Sequence, residues 1–146
     1  MDPSIFQYRD KWWLFTETNP DDEHDTLRLY CADHLMGPWT EHPRSPIIRG
    51  NARVARPAGR VLVTGQKVIR YAQDCYPEYG TAVRAFEITD LTATDYHERE
   101  IAPSAVLAPS GVGWNASGMH HIDAHPLGQG KWIACVDGWT RPTNPT

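Results

Sequence analysis

Nowhere does the chain carry a run approaching the roughly 20 apolar residues that a membrane-spanning helix needs. Its first residues lack the charged-then-apolar pattern of a signal peptide. Lys and Arg number 14 against 18 Asp and Glu and form no cluster, so the net charge is −4 and nucleic acid is not an expected partner. Cysteine is scarce. Cys31, Cys75 and Cys135 are far apart and odd in number, which rules out a disulfide framework and a Cys-x-x-Cys zinc pair. Read as buried free thiols at strand positions, they fit a reducing, cytoplasmic setting. The charged run 21–25 lacks the spaced ligands and glycine of an EF-hand and reads as a solvated loop.

Turn residues and large aromatics are plentiful: 11 Gly, 12 Pro, 6 Trp and 6 Tyr in 146 residues. Aromatic runs punctuated this often by turn formers predict short strands rather than long helices. A hairpin-like phrase recurs three times, over residues 4–16, 60–71 and 121–136. Each copy is a short apolar run, a polar turn ending in Lys11, Lys67 or Lys131, and an aromatic or β-branched run. A second phrase follows the first two copies, over residues 27–42 and 81–100, with Trp39 and Tyr96 in matching places. The repeat length is about 56 residues, the spacing from Lys11 to Lys67.

Four strands per unit at about this spacing is the pattern of β-propeller blades. The expected fold is therefore all-β, with two blades and the first half of a third. That is a partial β-propeller of about two and a half to three blades over residues 1–140, followed by a flexible tail at 141–146. Such an array leaves sheet faces uncovered. Missing blades of the same protein, or further copies in a homo-oligomer, are expected to close the ring.

Two polar clusters stand out. In Gly118-Met-His-His-Ile-Asp-Ala-His125, a strand puts His121, Asp123 and His125 on one face and His120, Ile122 and Ala124 on the other. Structural hydrogen bonding, a ligand lining and a metal site all remain open there. An iron triad would need a later histidine, and none follows His125. The second cluster joins Ala55-Arg-Pro-Ala-Gly-Arg60 to Gln73-Asp74 and Tyr79-Gly80. A guanidinium at Arg56 or Arg60 suits carboxylate, phosphate or sugar hydroxyls, and the alternative for Arg56 is a salt bridge to Asp74 or Glu78. Asp2, Glu17, Asp74 and Asp123 are the candidates for the paired acids that glycoside hydrolysis requires. Trp114 and Trp139 are candidates for stacking on a sugar ring.

Asp2-Pro-Ser-Ile-Phe6 followed by Lys11-Trp-Trp-Leu-Phe15 resembles the blade opening of five-bladed propeller glycoside hydrolases, the arabinanase/xylosidase and invertase-like superfamily. Gly37-Pro-Trp39 with Pro43-Arg-Ser-Pro-Ile47 is similar to their inter-blade segment. Gly118-Met-His-His121 before Gly130-Lys-Trp132 resembles their last blade, where a histidine supports a calcium ion. That resemblance implies His120 as a calcium-linked residue. Ala55-Arg-Pro-Ala-Gly-Arg60, Gln73-Asp-Cys75, Tyr79-Gly80 and Tyr96-His-Glu-Arg-Glu100 extend a further match over nearly the whole chain. They resemble the N-terminal five-bladed propeller domain of the glucosamine inositolphosphorylceramide transferase family, with this chain as a C-terminal partial copy.

The resemblances imply a glycoside-hydrolase-like domain that acts on or recognises a glycan, within a larger glycan-modifying protein. Asp2 and Asp74 are then the candidate catalytic residues, and Arg56, Arg60, Gln73, Tyr79, His121 and Asp123 the candidate substrate contacts. One departure bears on catalysis. Where the hydrolases place their general-acid glutamate, this chain has Ala55-Arg56-Pro57, and a guanidinium donates no proton. A non-catalytic glycan-binding or scaffolding propeller that positions a transferase domain is the alternative.

Overall fold

The computed structural model describes residues 2–18, 21, 24–65, 67–101 and 105–142. Ten strands form in chain order. Strands β1 (Ser4–Tyr8), β2 (Lys11–Glu17), β3 (Leu27–Ala32) and β4 (Thr40–Glu41) make the first sheet. Strands β5 (Leu62–Thr64), β6 (Lys67–Asp74), β7 (Ala82–Leu91) and β8 (Tyr96–Glu100) make the second. Strands β9 (Gly118–Gly128) and β10 (Lys131–Trp139) form a two-stranded third sheet. Every pairing is antiparallel between consecutive strands, so the all-β reading holds. No described helix is long and apolar enough to cross a membrane.

Each of the three hairpins pairs Tyr8, Thr64 or Gly128 with the lysine three positions on, Lys11, Lys67 or Lys131. In the third, Gln129 (φ 51°) and Gly130 (φ 73°) both adopt the left-handed region, as the primed turns of tight hairpins require. The second hairpin is shorter than the sequence pattern suggests. Before β5, residues 56–58 already pair with β6: Gln73 N–H donates to Arg56 O and Ala58 N–H to Tyr71 O. The ladder then breaks at Gly59, which has φ 125°.

Side-chain alternation explains how the sheets stack. Phe6, Trp13, Phe15, Leu27 and Leu29 share one face of the first sheet and pack against Val68, Ile88 and Leu91 of the second. The next residues along β6 and β7 point the other way. Tyr71, Val83 and Ala85 meet Ile122 of the third sheet, with Ala124 and Val136 beside it. The second sheet is thus covered on both faces, which is why β6 reads as a nearly continuous buried run.

Two devices hold the stack. Arg70, 1% exposed, lies between the first two sheets with its guanidinium over the rings of Phe86 (4.7 Å) and Phe15 (6.0 Å). It donates to both Glu98 carboxylate oxygens at 2.9 and 2.7 Å and to Val54 O at 2.9 Å. Burial alone would raise the Glu98 carboxyl. Attraction and hydrogen bonds from Arg70, with a further bond from Tyr96, bring it below its usual range. The second device is close backbone approach. Ile122 N–H donates to Ala58 O at 2.9 Å, and Ser4 Oγ donates to Gly59 O, so all three sheets converge at residues 58–59. A Cβ on Gly59 would sit 2.1 Å from Ile122 O.

Two expectations follow. Gly59→Ala should lower stability by about 3 kcal/mol or more, because the clash is with backbone that cannot swing aside. Gly65→Ala, at φ 59° with nothing within 4 Å of the new Cβ, should cost only about 1–2 kcal/mol. Equal midpoints in urea for the two variants would contradict the convergence at Gly59. Because the Glu98 carboxyl is depressed, its contribution is complete above the ordinary carboxylate range and is lost as pH falls through its lowered value. Glu98→Gln should therefore flatten the acid limb of the stability–pH curve, as read by thermal unfolding between about pH 2 and 6.

Candidate functional site

Where the three sheets converge, several side chains singled out by sequence come together. Arg56, 8% exposed, is fixed at its backbone by the pairing with β6 and projects its guanidinium to Asp2, with Nε 2.5 Å from Oδ2. Gln73, 2% exposed at the end of β6, donates from Nε2 to the same Asp2 oxygen at 3.1 Å and to Pro57 O at 3.1 Å. Arg56 also stacks 4.7 Å over the Tyr79 ring. Tyr79 in turn lies 5.3 Å from the His120 ring, and His120 Nδ1 is 3.1 Å from an Asp137 carboxylate oxygen. Asp2, Arg56, Gln73, Tyr79 and His120 are thus one cluster.

The alternative ion pairs for Arg56 do not form. Its carboxylate is Asp2, whereas Asp74 takes Arg53 and Arg84 at 3.2 and 3.0 Å, and Glu78 pairs with Arg141. Asp74 is 3% exposed and also accepts from Tyr76 N–H, so it caps the turn after β6. Arg60 and Asp123 form a second group. Their Nε and Oδ1 lie 3.0 Å apart, and His125 joins both. The hydrogen bond from His125 lowers the Asp123 carboxyl, with burial opposing and Arg60 adding to the effect. His121 lines a cleft of about 310 Å3 with Asp2, Ser4, Gly59 and Arg60, so Asp2 belongs to both groups.

Sequence reasoning missed His24. It was expected within a solvated loop, of which Asp22 and Glu23 lie outside the described residues. Its side chain is only 15% exposed, its Nδ1 is 2.9 Å from Arg56 Nη1, and its ring is 5.7 Å from that of Tyr79. A guanidinium only donates, so His24 Nδ1 is the acceptor in that contact. Glu17, at the buried end of β2, lies 3.8 Å from the same nitrogen. Both Asp2 (φ 48°) and His24 (φ 56°) hold the left-handed backbone region, which is uncommon outside glycine and concentrates at functional sites. No spacing in the sequence could have shown that a loop residue folds back in this way.

Burial pushes the Tyr79 hydroxyl above its ordinary range; Arg56 opposes that shift and Asp2 adds to it. Burial likewise raises the Cys75 thiol, which makes it a poor nucleophile. Calcium does not fit at His120. The ion takes six to eight hard oxygen ligands, whereas His120 offers nitrogen beside one carboxylate. No group of three or more metal-ligating side chains is gathered among the described residues. Trp139 donates its indole N–H to Gly80 O and serves the sheet junction, while Trp114 stays 59% exposed. Of the tail, Arg141 is tied back through Ser117 and Glu78, and residues 143–146 lie outside the described residues.

The cluster is a fixed cation with aromatic faces around it and a carboxylate that accepts two hydrogen bonds. That chemistry grips hydroxyls and ring faces, and Arg56 itself transfers no proton.

Comparison with known proteins is consistent over almost the full chain. Residues 1–139 match the family model described as glucosamine inositolphosphorylceramide transferase 1, N-terminal. The chain is 34% identical over 143 residues to glucosamine inositolphosphorylceramide transferase 1 of Oryza sativa subsp. japonica, covering 94% of this chain and 19% of that protein. The protein of the same name from Arabidopsis thaliana is 28% identical over 143 residues, with the same two coverages of 94% and 19%. The chain thus spans about a fifth of the length of these relatives. No solved structure matches it. The chain belongs to the glucosamine inositolphosphorylceramide transferase N-terminal family.

Proposed function

We propose that this member of the family is part of a five-bladed β-propeller that recognises a sugar-bearing ligand at the Arg56 cluster. The observation that carries the reading is the Arg56 guanidinium, nearly buried, pinned by Asp2 and stacked on Tyr79. A buried cation is costly unless paired, and its placement beside aromatic rings suits a polyhydroxyl ligand with ring faces to cover. Two four-stranded sheets and a two-stranded one support the propeller reading, taken as two blades and the start of a third. Further blades, from the same polypeptide or from other copies, would close the ring.

The relatives' names join a glucosamine to an inositolphosphorylceramide. In such proteins, about five times as long as this chain, the domain would hold a sugar-bearing substrate for transfer chemistry carried out elsewhere. Arg56 and Tyr79 would contact the ligand, Arg60, His121 and Asp123 would line its approach, and Asp2, itself held by the buried Gln73, would orient Arg56. Hydrolysis is the competing role for Asp2 and Asp74. It is less favoured because Asp2 is engaged by Arg56 and Gln73, and Asp74 by Arg53 and Arg84.

Titration calorimetry with glucosamine should give binding of roughly millimolar strength, abolished in Arg56→Ala and weakened in Arg56→Lys, which cannot reproduce the planar fork. Binding that is absent in the native chain, or unchanged in Arg56→Ala, would contradict the reading. Aryl glycosides should stay intact at every pH. Release of the aryl group that falls on Asp2→Asn would establish the hydrolase role instead.

A further inference from the structure

The Arg56–Tyr79 stack has a neighbour. Three residues earlier on each segment, Arg53 lies 4.4 Å over the Tyr76 ring, so the arginine–tyrosine stack is repeated at the same interval along the chain. Tyr76 is 56% exposed and, with Arg53, Asn51 and Asp25, lines a cleft of about 360 Å3. Asp25 follows His24 in the chain, and His24 touches both Arg56 and Tyr79, so the cleft adjoins the first cluster.

Its walls are fixed by hydrogen bonds. Cys75 N–H donates to Ala52 O at 2.9 Å, Asn51 N–H to Asp25 O at 3.2 Å and Arg53 N–H to Asn51 Oδ1 at 3.1 Å. Asp74 holds the Arg53 guanidinium at 3.2 Å. Such a surface is preorganised, so little ordering cost falls on binding.

We infer that this cleft is a second subsite for a sugar or polyol ring joined to the one at Arg56, so that the ligand is a two-ring glycan rather than a monosaccharide. The inference rests on the recognition reading given above. Charge favours a neutral ring over a phosphate, since Arg53 is already paired with Asp74. The C–H face of a pyranose or cyclitol packs on the electron-rich Tyr76 face opposite the one that Arg53 covers. Its equatorial hydroxyls reach the polar groups of Arg53, Asn51 and Asp25 at the rim.

Calorimetry on the native chain with glucosamine and with glucosaminyl-inositol tests this. The two-ring ligand should bind about tenfold more tightly, the gain of one added aromatic contact. Tyr76→Ala should bring the affinity ratio of the two ligands to about one, and Tyr76→Phe, which keeps the ring, should retain the ratio. Equal affinities in the native chain, or a ratio that survives Tyr76→Ala, would overturn the second subsite while leaving the recognition reading intact. If neither ligand binds, both fall together.

Discussion

Backbone meets backbone at Gly59 with no room for a side chain, and the placement of everything around the site depends on that contact. The Ala58 carbonyl accepts from Ile122 of the third sheet, and the Gly59 carbonyl from Ser4 of the first. A second close approach, where a Cβ on Gly118 would lie 2.2 Å from Gly80 O, locks the second and third sheets further along. Hydrophobic burial brings the sheets face to face, but it is non-directional and would tolerate sliding. The glycine contacts remove that freedom. They set Asp2, Arg56 and His120, which come from three different sheets or their leading segments, within one cluster.

Electrostatics is used differently at the two buried arginines. Arg70 is fully enclosed, and its guanidinium is matched by a bidentate carboxylate and a backbone carbonyl. That pair orders the first two sheets and faces no cleft. Arg56 is held by one carboxylate oxygen, the His24 ring and the Tyr79 ring face, and its partner Asp2 lines a cleft. The same side-chain chemistry thus serves packing in one place and, in the other, ties a carboxylate at a cleft to an aromatic face. The difference lies in what surrounds each guanidinium.

Much of the fold could be read from the sequence because hairpins are local. All three hairpins form where the repeated phrase places them, although Lys11, Lys67 and Lys131, read as the ends of the turns, are the first residues of β2, β6 and β10. Strand β5 was harder to read, since the break at Gly59 comes from an approach by Ile122, more than 60 residues away. The site was legible in its members more than in its pairings. Arg56, Gln73 and Tyr79 were singled out together, but nothing local says that Arg56 would choose Asp2 over Asp74, or that Asp74 would be taken up by Arg53 and Arg84. His24 was hidden for the same reason. Its role comes from a loop that folds back onto another sheet, and periodicity carries no record of such a path.

We propose that a sugar-bearing ligand sits at the sheet junction around Arg56. Mapping amide chemical-shift changes by NMR while glucosamine is added tests it most directly. The largest changes are expected at Arg56, Gln73, Tyr79 and His120, with little change at the exposed Trp132 and Ile133 of β10. Changes concentrated at those two residues, or absent from the junction, would overturn the proposal.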